Sequence, residues 1–222
     1  GKEENVMNNK EICHPSVRGC LQYLNISDGV EIHHDGDLPA RSGLGSSSSF
    51  TVGMLNALYA LRGAIIDKQK LAQEAIRIEQ RVIAEAVGSQ DQVWAAFGGI
   101  NRIDFPIAGD FQVRPLVMPG ERRQQLLDHL LLFFTGFSRF ASEIAQNQID
   151  NFDQRQQHLK TITSLVDEAM NVVHSDSRPL REIGELLNQS WLLKRELADN
   201  VTTPEIDEIY DAAQDAGAIG GK

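Results

Sequence analysis

A short loop rich in glycine and serine constrains this chain more than any other feature. It reads Gly43-Leu44-Gly45, then four serines, and it lies between a predicted strand at 30–34 and a predicted buried helix at 46–62. Glycine adopts backbone angles that other residues avoid. The free amides at the start of a helix, together with its dipole, favour phosphate oxygens. The loop therefore predicts an anion site, although a flexible linker with a serine cap would have the same composition.

Hydrophobic periodicity predicts a mixed α and β part followed by a helix-rich part. Helical spacing marks residues 14–24, and a second apolar stripe runs to about residue 86 from Asp67, a suitable N-cap. From residue 141 the pattern is helical, with two breaks, and Thr203 before a proline is a good helix start. Further strands are predicted at 97–105, 111–116 and 130–134, the last one buried on both faces.

These patterns together predict an α+β protein of two domains. The boundary is expected near residues 115–121, which gives an N-terminal domain at 1–116 and a C-terminal domain at 117–222. Trp94 and Trp191 lie at apolar helical spacing and are expected in the core. Arg122 and its neighbour Arg123 are interpreted as a solvated face.

The composition argues against binding to nucleic acid or to a membrane. Lysine and arginine total 21 against 31 aspartate and glutamate residues, so the net charge is −10. Such a chain repels nucleic-acid phosphates and anionic membrane surfaces. The longest apolar runs are far too short to span a bilayer, and residues 1–10 contain no signal-peptide core. We therefore expect a cytoplasmic protein in which Cys13 and Cys20 are buried thiols.

The loop resembles the second signature motif of the GHMP kinases, the family of galactokinase, homoserine kinase and mevalonate kinase. In that family the loop wraps the triphosphate of ATP. The present loop likewise lacks the Gly-Lys-Ser or Gly-Lys-Thr ending of a Walker A loop. The resemblance implies that ATP lies against Gly43, Leu44, Gly45, Ser46, Ser47 and Ser48, with Ser47 as a ligand of Mg²⁺.

Two carboxylates follow the loop at a spacing that suits phosphoryl transfer. That reaction needs a metal to neutralise charge and a group that orients or deprotonates the attacking hydroxyl. Glu79 lies on the predicted second helix and Asp91 lies twelve residues later. Alone, each has a plainer interpretation, Glu79 as a solvated helix carboxylate and Asp91 as a helix cap. The family resemblance implies that Glu79 binds magnesium and that Asp91 takes the proton or orients the acceptor hydroxyl.

Four further strings are similar to one branch of the family, the D-glycero-D-manno-heptose 7-phosphate kinases. The strings are 87–92, 97–99, 134–139 and 190–194. This resemblance implies a kinase that phosphorylates the anomeric hydroxyl of a heptose 7-phosphate. It also implies a GHMP two-domain fold, with a ferredoxin-like, helix-rich C-terminal part and a possible homodimer. Arg139 is the candidate for holding the substrate phosphate through its planar fork, and a surface salt bridge is the plainer alternative.

Two other functions are compatible with the same residues. One is a kinase of an unphosphorylated sugar such as fucose or galactose, and the other is a catalytically silent sensor of sugar and nucleotide. A structural helical protein with an incidental serine loop is a third alternative, and it would bind no nucleotide. The family's first motif is missing, and 217–222 resembles only the approach to its third. The sequence is therefore interpreted as part of a longer protein.

Overall fold

The structure, a computed structural model, describes residues 3–36, 43–136, 155–198 and 201–222. These residues separate into two compact units, one ending at Leu116 and one beginning at Val117.

The described residues of the first unit form four α-helices and a two-stranded antiparallel sheet. The helices are α1 (Pro15–Tyr23), α2 (Ser46–Leu61), α3 (Lys68–Arg77) and α4 (Gln90–Phe97). The strands are β1 (Asn101–Asp104) and β2 (Gln112–Pro115), paired with Asn101 opposite Pro115. A π-helical turn, Ile78–Val82, continues α3 directly.

Local chemistry explains where these helices begin and end. The Asp67 side chain accepts a hydrogen bond from the backbone N–H of Lys70 at 2.8 Å and caps α3, as predicted. Helix α2 ends before Gly63, whose φ of 69° is the left-handed conformation that closes many helices. Its predicted span is therefore confirmed.

The core of the first unit is formed by the facing sides of α1, α2 and α3. Its most buried members, each at most 1 % exposed, are Cys20, Leu21, Leu55, Ala75 and Ile78. Gly19 of α1 lies so close to the π-helical turn that a Cβ on it would be 3.1 Å from Cγ1 of Ile83. Burying each large apolar side chain contributes about 1.5–3 kcal/mol before the entropy of ordering is subtracted. This packing holds the π-helical turn against α1.

The regular elements among the described residues of the second unit are α-helices. The helices are α5 (Gly120–Asp128), α6 (Gln156–His174), α7 (Arg181–Arg195) and α8 (Pro204–Asp215). Thr203 caps α8 by accepting from the backbone N–H of Ile206 at 3.4 Å, which confirms the predicted helix start. Trp191 is 7 % exposed and packs with Ala198 and Val201, so its prediction as a core residue is also confirmed.

Several predictions from the pattern were wrong. The predicted strand at 30–34 forms no regular element, and the second helical stripe ends at the π-helical turn rather than near residue 86. The predicted strand at 130–134 is neither paired nor buried, because its side chains are 50–82 % exposed. Trp94 is 51 % exposed. Cys20 is buried as expected, but the thiol of Cys13 is exposed.

Arg122 also differs from its interpretation as a solvated residue. Its guanidinium donates to the backbone oxygens of Val172 at 2.6 Å, Val173 at 3.0 Å and Arg178 at 2.9 Å. The first two carbonyls belong to the last turn of α6, where carbonyls lack partners inside the helix. A cation at this end also favours the helix dipole. Arg122 is therefore a helix-capping residue.

Candidate active site

The predicted phosphate loop ends at the N-terminus of α2. Gly45 is the N-cap residue with φ 70° and ψ 22°, and no side chain caps this end. The first helical hydrogen bond runs from the backbone N–H of Ser49 to the oxygen of Gly45 at 2.9 Å. The amides of residues 46–48 precede this bond, so they have no carbonyl partner within the helix. Ser47 is exposed. The geometry at this terminus is therefore suited to an anion.

Glu79 enters the site from the π-helical turn. The turn is closed by the backbone N–H of Ile83, which donates to the oxygen of Ile78 five residues earlier at 2.8 Å. Turns of this type widen a helix locally and are frequent at functional sites. Glu79 is only 1 % exposed. The structure therefore excludes the plainer interpretation of Glu79 as a solvated helix carboxylate.

Two buried side chains hold the same oxygen of Glu79. The hydroxyl of Ser48 donates to Oε2 at 2.9 Å, and the side-chain amide of Gln92 donates to Oε2 as well. The other oxygen, Oε1, is buried and has no hydrogen-bond partner among the described residues. Leaving a buried carboxylate oxygen unpaired is costly. Oε1 is therefore ready to accept a proton or a cation.

The charge state of Glu79 reflects this environment. Burial raises its pKa, the nearby polar groups of Thr51, Gln92 and Ser48 oppose that rise, and the charge of Glu85 adds to it. A divalent cation would reverse the effect of burial, because an adjacent opposite charge favours the ionised form. The unpaired, buried Oε1 therefore fits a cation such as Mg²⁺.

The donor set also suits magnesium in particular. No group of three or more histidine, cysteine, aspartate or glutamate side chains able to hold a metal occurs in the part of the chain that the structure describes. Magnesium seldom needs such a cage, since one or two protein carboxylates usually share it with substrate phosphates and water. A single buried glutamate beside a helix terminus that has no side-chain cap fits that pattern.

Asp91 reaches the loop from α4. It lies in the first turn of α4, is exposed, and packs against Gly45, where an added Cβ would be 3.1 Å from its Cγ and its Oδ2. The N-cap of α4 is Ser89, so the alternative of Asp91 as the helix cap is wrong. The next residue, Gln92, is fully buried and contacts Glu79. One dipeptide therefore reaches both the loop and the buried acid.

The structure brings together several of the predicted residues. Gly45 and Ser48 contact Asp91 and Glu79 respectively. Arg139 lies outside the described residues. Gln92 was not predicted as part of the site, although an amide next to Asp91, in an otherwise apolar helix interior, was a usable signal. A cavity of about 480 Å³ lies elsewhere, and none of the predicted site residues lines it.

Comparison with protein families agrees with this geometry. A family model for the GHMP kinases N terminal domain matches residues 15–99, and a model for the GHMP kinases C terminal region matches residues 172–222. The chain belongs to the GHMP kinase family. The first match contains both the loop and the two acids.

Curated members of the family are similar over most of this chain. The D-glycero-alpha-D-manno-heptose 7-phosphate kinase of Campylobacter jejuni is 28 % identical over 86 % of this chain and 56 % of that protein. The L-fucokinase/L-fucose-1-P guanylyltransferase of Bacteroides fragilis is 26 % identical over 87 % of this chain and 21 % of that protein. The galactokinase of Actinobacillus succinogenes is 26 % identical over 92 % of this chain and 62 % of that protein. The chain spans just over half the length of the heptose kinase.

Solved structures show the same fold. A D-glycero-D-manno-heptose 1-phosphate kinase from Bacteroides thetaiotaomicron superposes with a TM-score of 0.63 at 24 % identity, over 94 % of this chain and 60 % of that one. The mevalonate kinase of Methanococcus jannaschii also gives a TM-score of 0.63 at 20 % identity. That superposition covers 97 % of this chain and 65 % of the mevalonate kinase. The expectation of an α+β GHMP kinase fold is confirmed.

Proposed function

We propose that this protein is an ATP-dependent kinase that phosphorylates a sugar hydroxyl. The observation that carries the proposal is the convergence of two acids on one helix terminus. Glu79 contacts the first turn of α2 through Ser48, and Asp91 contacts its N-cap residue, Gly45. Membership of the GHMP kinase family supports the reaction class.

The loop residues and the two acids each have a separate role in the proposed phosphoryl transfer. In the proposed mechanism, the loop from Gly43 to Ser48 binds the nucleotide phosphates through its amides. Ser47 and Glu79 would hold magnesium, which when bound would supply the charge neutralisation that phosphoryl transfer requires. Asp91, being exposed at the mouth of the loop, orients the acceptor hydroxyl and accepts its proton.

The proposed acceptor is the anomeric hydroxyl of D-glycero-D-manno-heptose 7-phosphate. Its support is the similarity to the Campylobacter jejuni heptose 7-phosphate kinase over 86 % of this chain. Arg139 is proposed to hold the 7-phosphate, because a guanidinium pairs with phosphate through two parallel hydrogen bonds. Similarity to a fucokinase and to a galactokinase at 26 % identity each favours an unphosphorylated sugar as the second candidate.

Formation of ADP by the full-length protein tests these alternatives. The assay contains ATP and Mg²⁺ with heptose 7-phosphate, and in parallel with fucose, galactose and unphosphorylated heptose. Turnover confined to the heptose phosphate is expected. Turnover with an unphosphorylated sugar would support the kinase reaction and show that the acceptor is not the heptose phosphate. Binding of ATP without turnover on any sugar would overturn the kinase proposal in favour of a sensor.

A further inference from the structure

We propose that Ser48 and Gln92 are positioning residues that hold Glu79 by one oxygen and thereby reserve the other oxygen for a divalent cation. This inference rests on the proposed function, because it assigns a purpose to residues around the proposed magnesium ligand. Neither residue needs to touch the metal for this role.

The geometry around the carboxylate is one-sided. The Ser48 hydroxyl and the Gln92 amide both donate to Oε2, while Oε1 has no hydrogen-bond partner among the described residues. A free carboxylate in a helix rotates about its last torsion and exchanges its two oxygens. Two donors from different helices oppose that rotation. They therefore present the same oxygen to an incoming cation each time.

The burial of these donors shows that their contacts with Glu79 belong to the protein interior and not to its surface. Ser48 is 6 % exposed, Gln92 is 0 % exposed and Glu79 is 1 % exposed. Hydrogen bonds to an ionised group in such surroundings are stronger than hydrogen bonds between neutral groups. A second buried atom, Oε1 of Gln92, also lacks a hydrogen-bond partner among the described residues. The side-chain amide of Gln92 is therefore oriented by the hydrogen bond that its nitrogen donates to Glu79.

The two donors also connect Glu79 to the rest of the site. Ser48 lies in the first turn of α2, directly after the proposed magnesium ligand Ser47. Gln92 follows Asp91 in the first turn of α4. A shift of either helix would therefore move the glutamate together with the loop or with the acid at its mouth. Partners of this kind usually change metal affinity 10- to 100-fold when they are removed.

The test uses two variants of the full-length protein, Ser48→Ala and Gln92→Met, which remove each donor at little change in volume. Ser49→Ala is the matched control, because it removes an exposed hydroxyl from the same turn. Calorimetry measures Mg²⁺ affinity in the presence of a non-hydrolysable ATP analogue, and nucleotide affinity without metal. We expect both donor variants to lose Mg²⁺ affinity about tenfold or more. Metal-free nucleotide affinity should stay the same in Gln92→Met, because Gln92 lies outside the proposed phosphate loop. Ser48→Thr, which keeps the hydroxyl, should retain the Mg²⁺ affinity that Ser48→Ala loses.

The outcomes separate this inference from the proposed function. Unchanged Mg²⁺ affinity in a folded Ser48→Ala protein overturns the positioning role alone. A wild-type protein that binds the nucleotide without any dependence on Mg²⁺ overturns the proposed function, and the inference with it. If Gln92→Met fails to fold, Ser48→Ala still decides, since it removes a single hydroxyl.

Discussion

The carboxylate of Asp91 lies against the α-carbon of Gly45, leaving no room for a side chain between them. A Cβ on Gly45 would be 3.1 Å from both Cγ and Oδ2 of Asp91. Real Cβ atoms seldom come this close to another heavy atom, so Gly45→Ala must push the carboxylate or the loop aside. Relieving this contact needs a shift of a few tenths of an ångström. Because a displacement of about 1 Å can cost about 100-fold in rate, we expect a smaller loss in kcat, of up to about tenfold. Steady-state ADP formation measures it.

Gly63→Ala is the matched control for that substitution. Gly63 follows the other end of α2 and has a φ of 69°, against 70° for Gly45. A Cβ on Gly63 would have no heavy-atom neighbour within 4 Å. Both substitutions therefore place alanine at a positive φ, at a stability cost of about 1 kcal/mol, but only Gly45→Ala displaces Asp91. Equal kcat losses in the two variants would show that backbone strain, and not the contact with Asp91, is responsible.

Replacing Asp91 should separate chemistry from nucleotide binding. Asp91→Asn keeps the shape of the side chain but removes the proton acceptor, and general-base catalysis contributes about 10²- to 10⁴-fold. We expect kcat to fall within that range while ATP affinity changes little. Full activity in the variant would contradict the role assigned to this carboxylate.

Replacing Ser47 should act on the metal-dependent step instead. We expect Ser47→Ala to weaken Mg²⁺-dependent nucleotide binding about 10- to 100-fold, because a proposed oxygen ligand is lost. A thermal shift with ATP, with and without Mg²⁺, measures the effect. Ser49→Ala is again the comparison, and an equal Mg²⁺-dependent shift in the two variants would remove Ser47 from the metal site.

The protonated hydroxyl of Tyr59 stabilises the folded protein, and this contribution is lost at alkaline pH. Its hydroxyl donates to Oε2 of Glu74 at 2.7 Å, and burial, followed by this hydrogen bond, raises its pKa from 10.0 to about 12. The unfolded state ionises first, so this stabilisation is complete below pH 10 and is lost as the pH rises towards 12. Urea unfolding at pH 8 and pH 11 should therefore show a larger loss for the wild type than for Tyr59→Phe. Equal losses would contradict the assignment.

The two cysteines should differ sharply in reactivity. Cys13 is exposed. Cys20 is 0 % exposed, and burial, together with the charge of Glu79, raises its pKa to about 12. Because the thiolate is the reactive form, iodoacetamide at pH 8 should modify Cys13 and leave Cys20 intact until denaturant is added. Mass spectrometry of the peptides measures this, and rapid labelling of Cys20 in the native protein would contradict the packing of α1.

Sequence reasoning succeeded where the determinants are local. The start of α3 at Asp67 and of α8 at Thr203 follow from capping by neighbouring residues. It failed at 130–134, because an apolar run becomes a strand only when another strand pairs with it. The contact between Gln92 and Glu79 joins residues thirteen apart through an irregular turn. Periodicity of 3.6 residues could not predict it.

The π-helical turn at Ile78–Val82 fixes the rotational phase at which the chain leaves α3. Each residue of a regular helix advances the chain by about 100°, so a turn closed by a five-residue step changes the direction of everything that follows. A single-residue deletion there would leave Glu79 and Asp91 both present but would change the direction of one relative to the other. Relatives of this chain that differ by one residue in this segment can therefore keep both acids in their sequence and still lose the arrangement that they form.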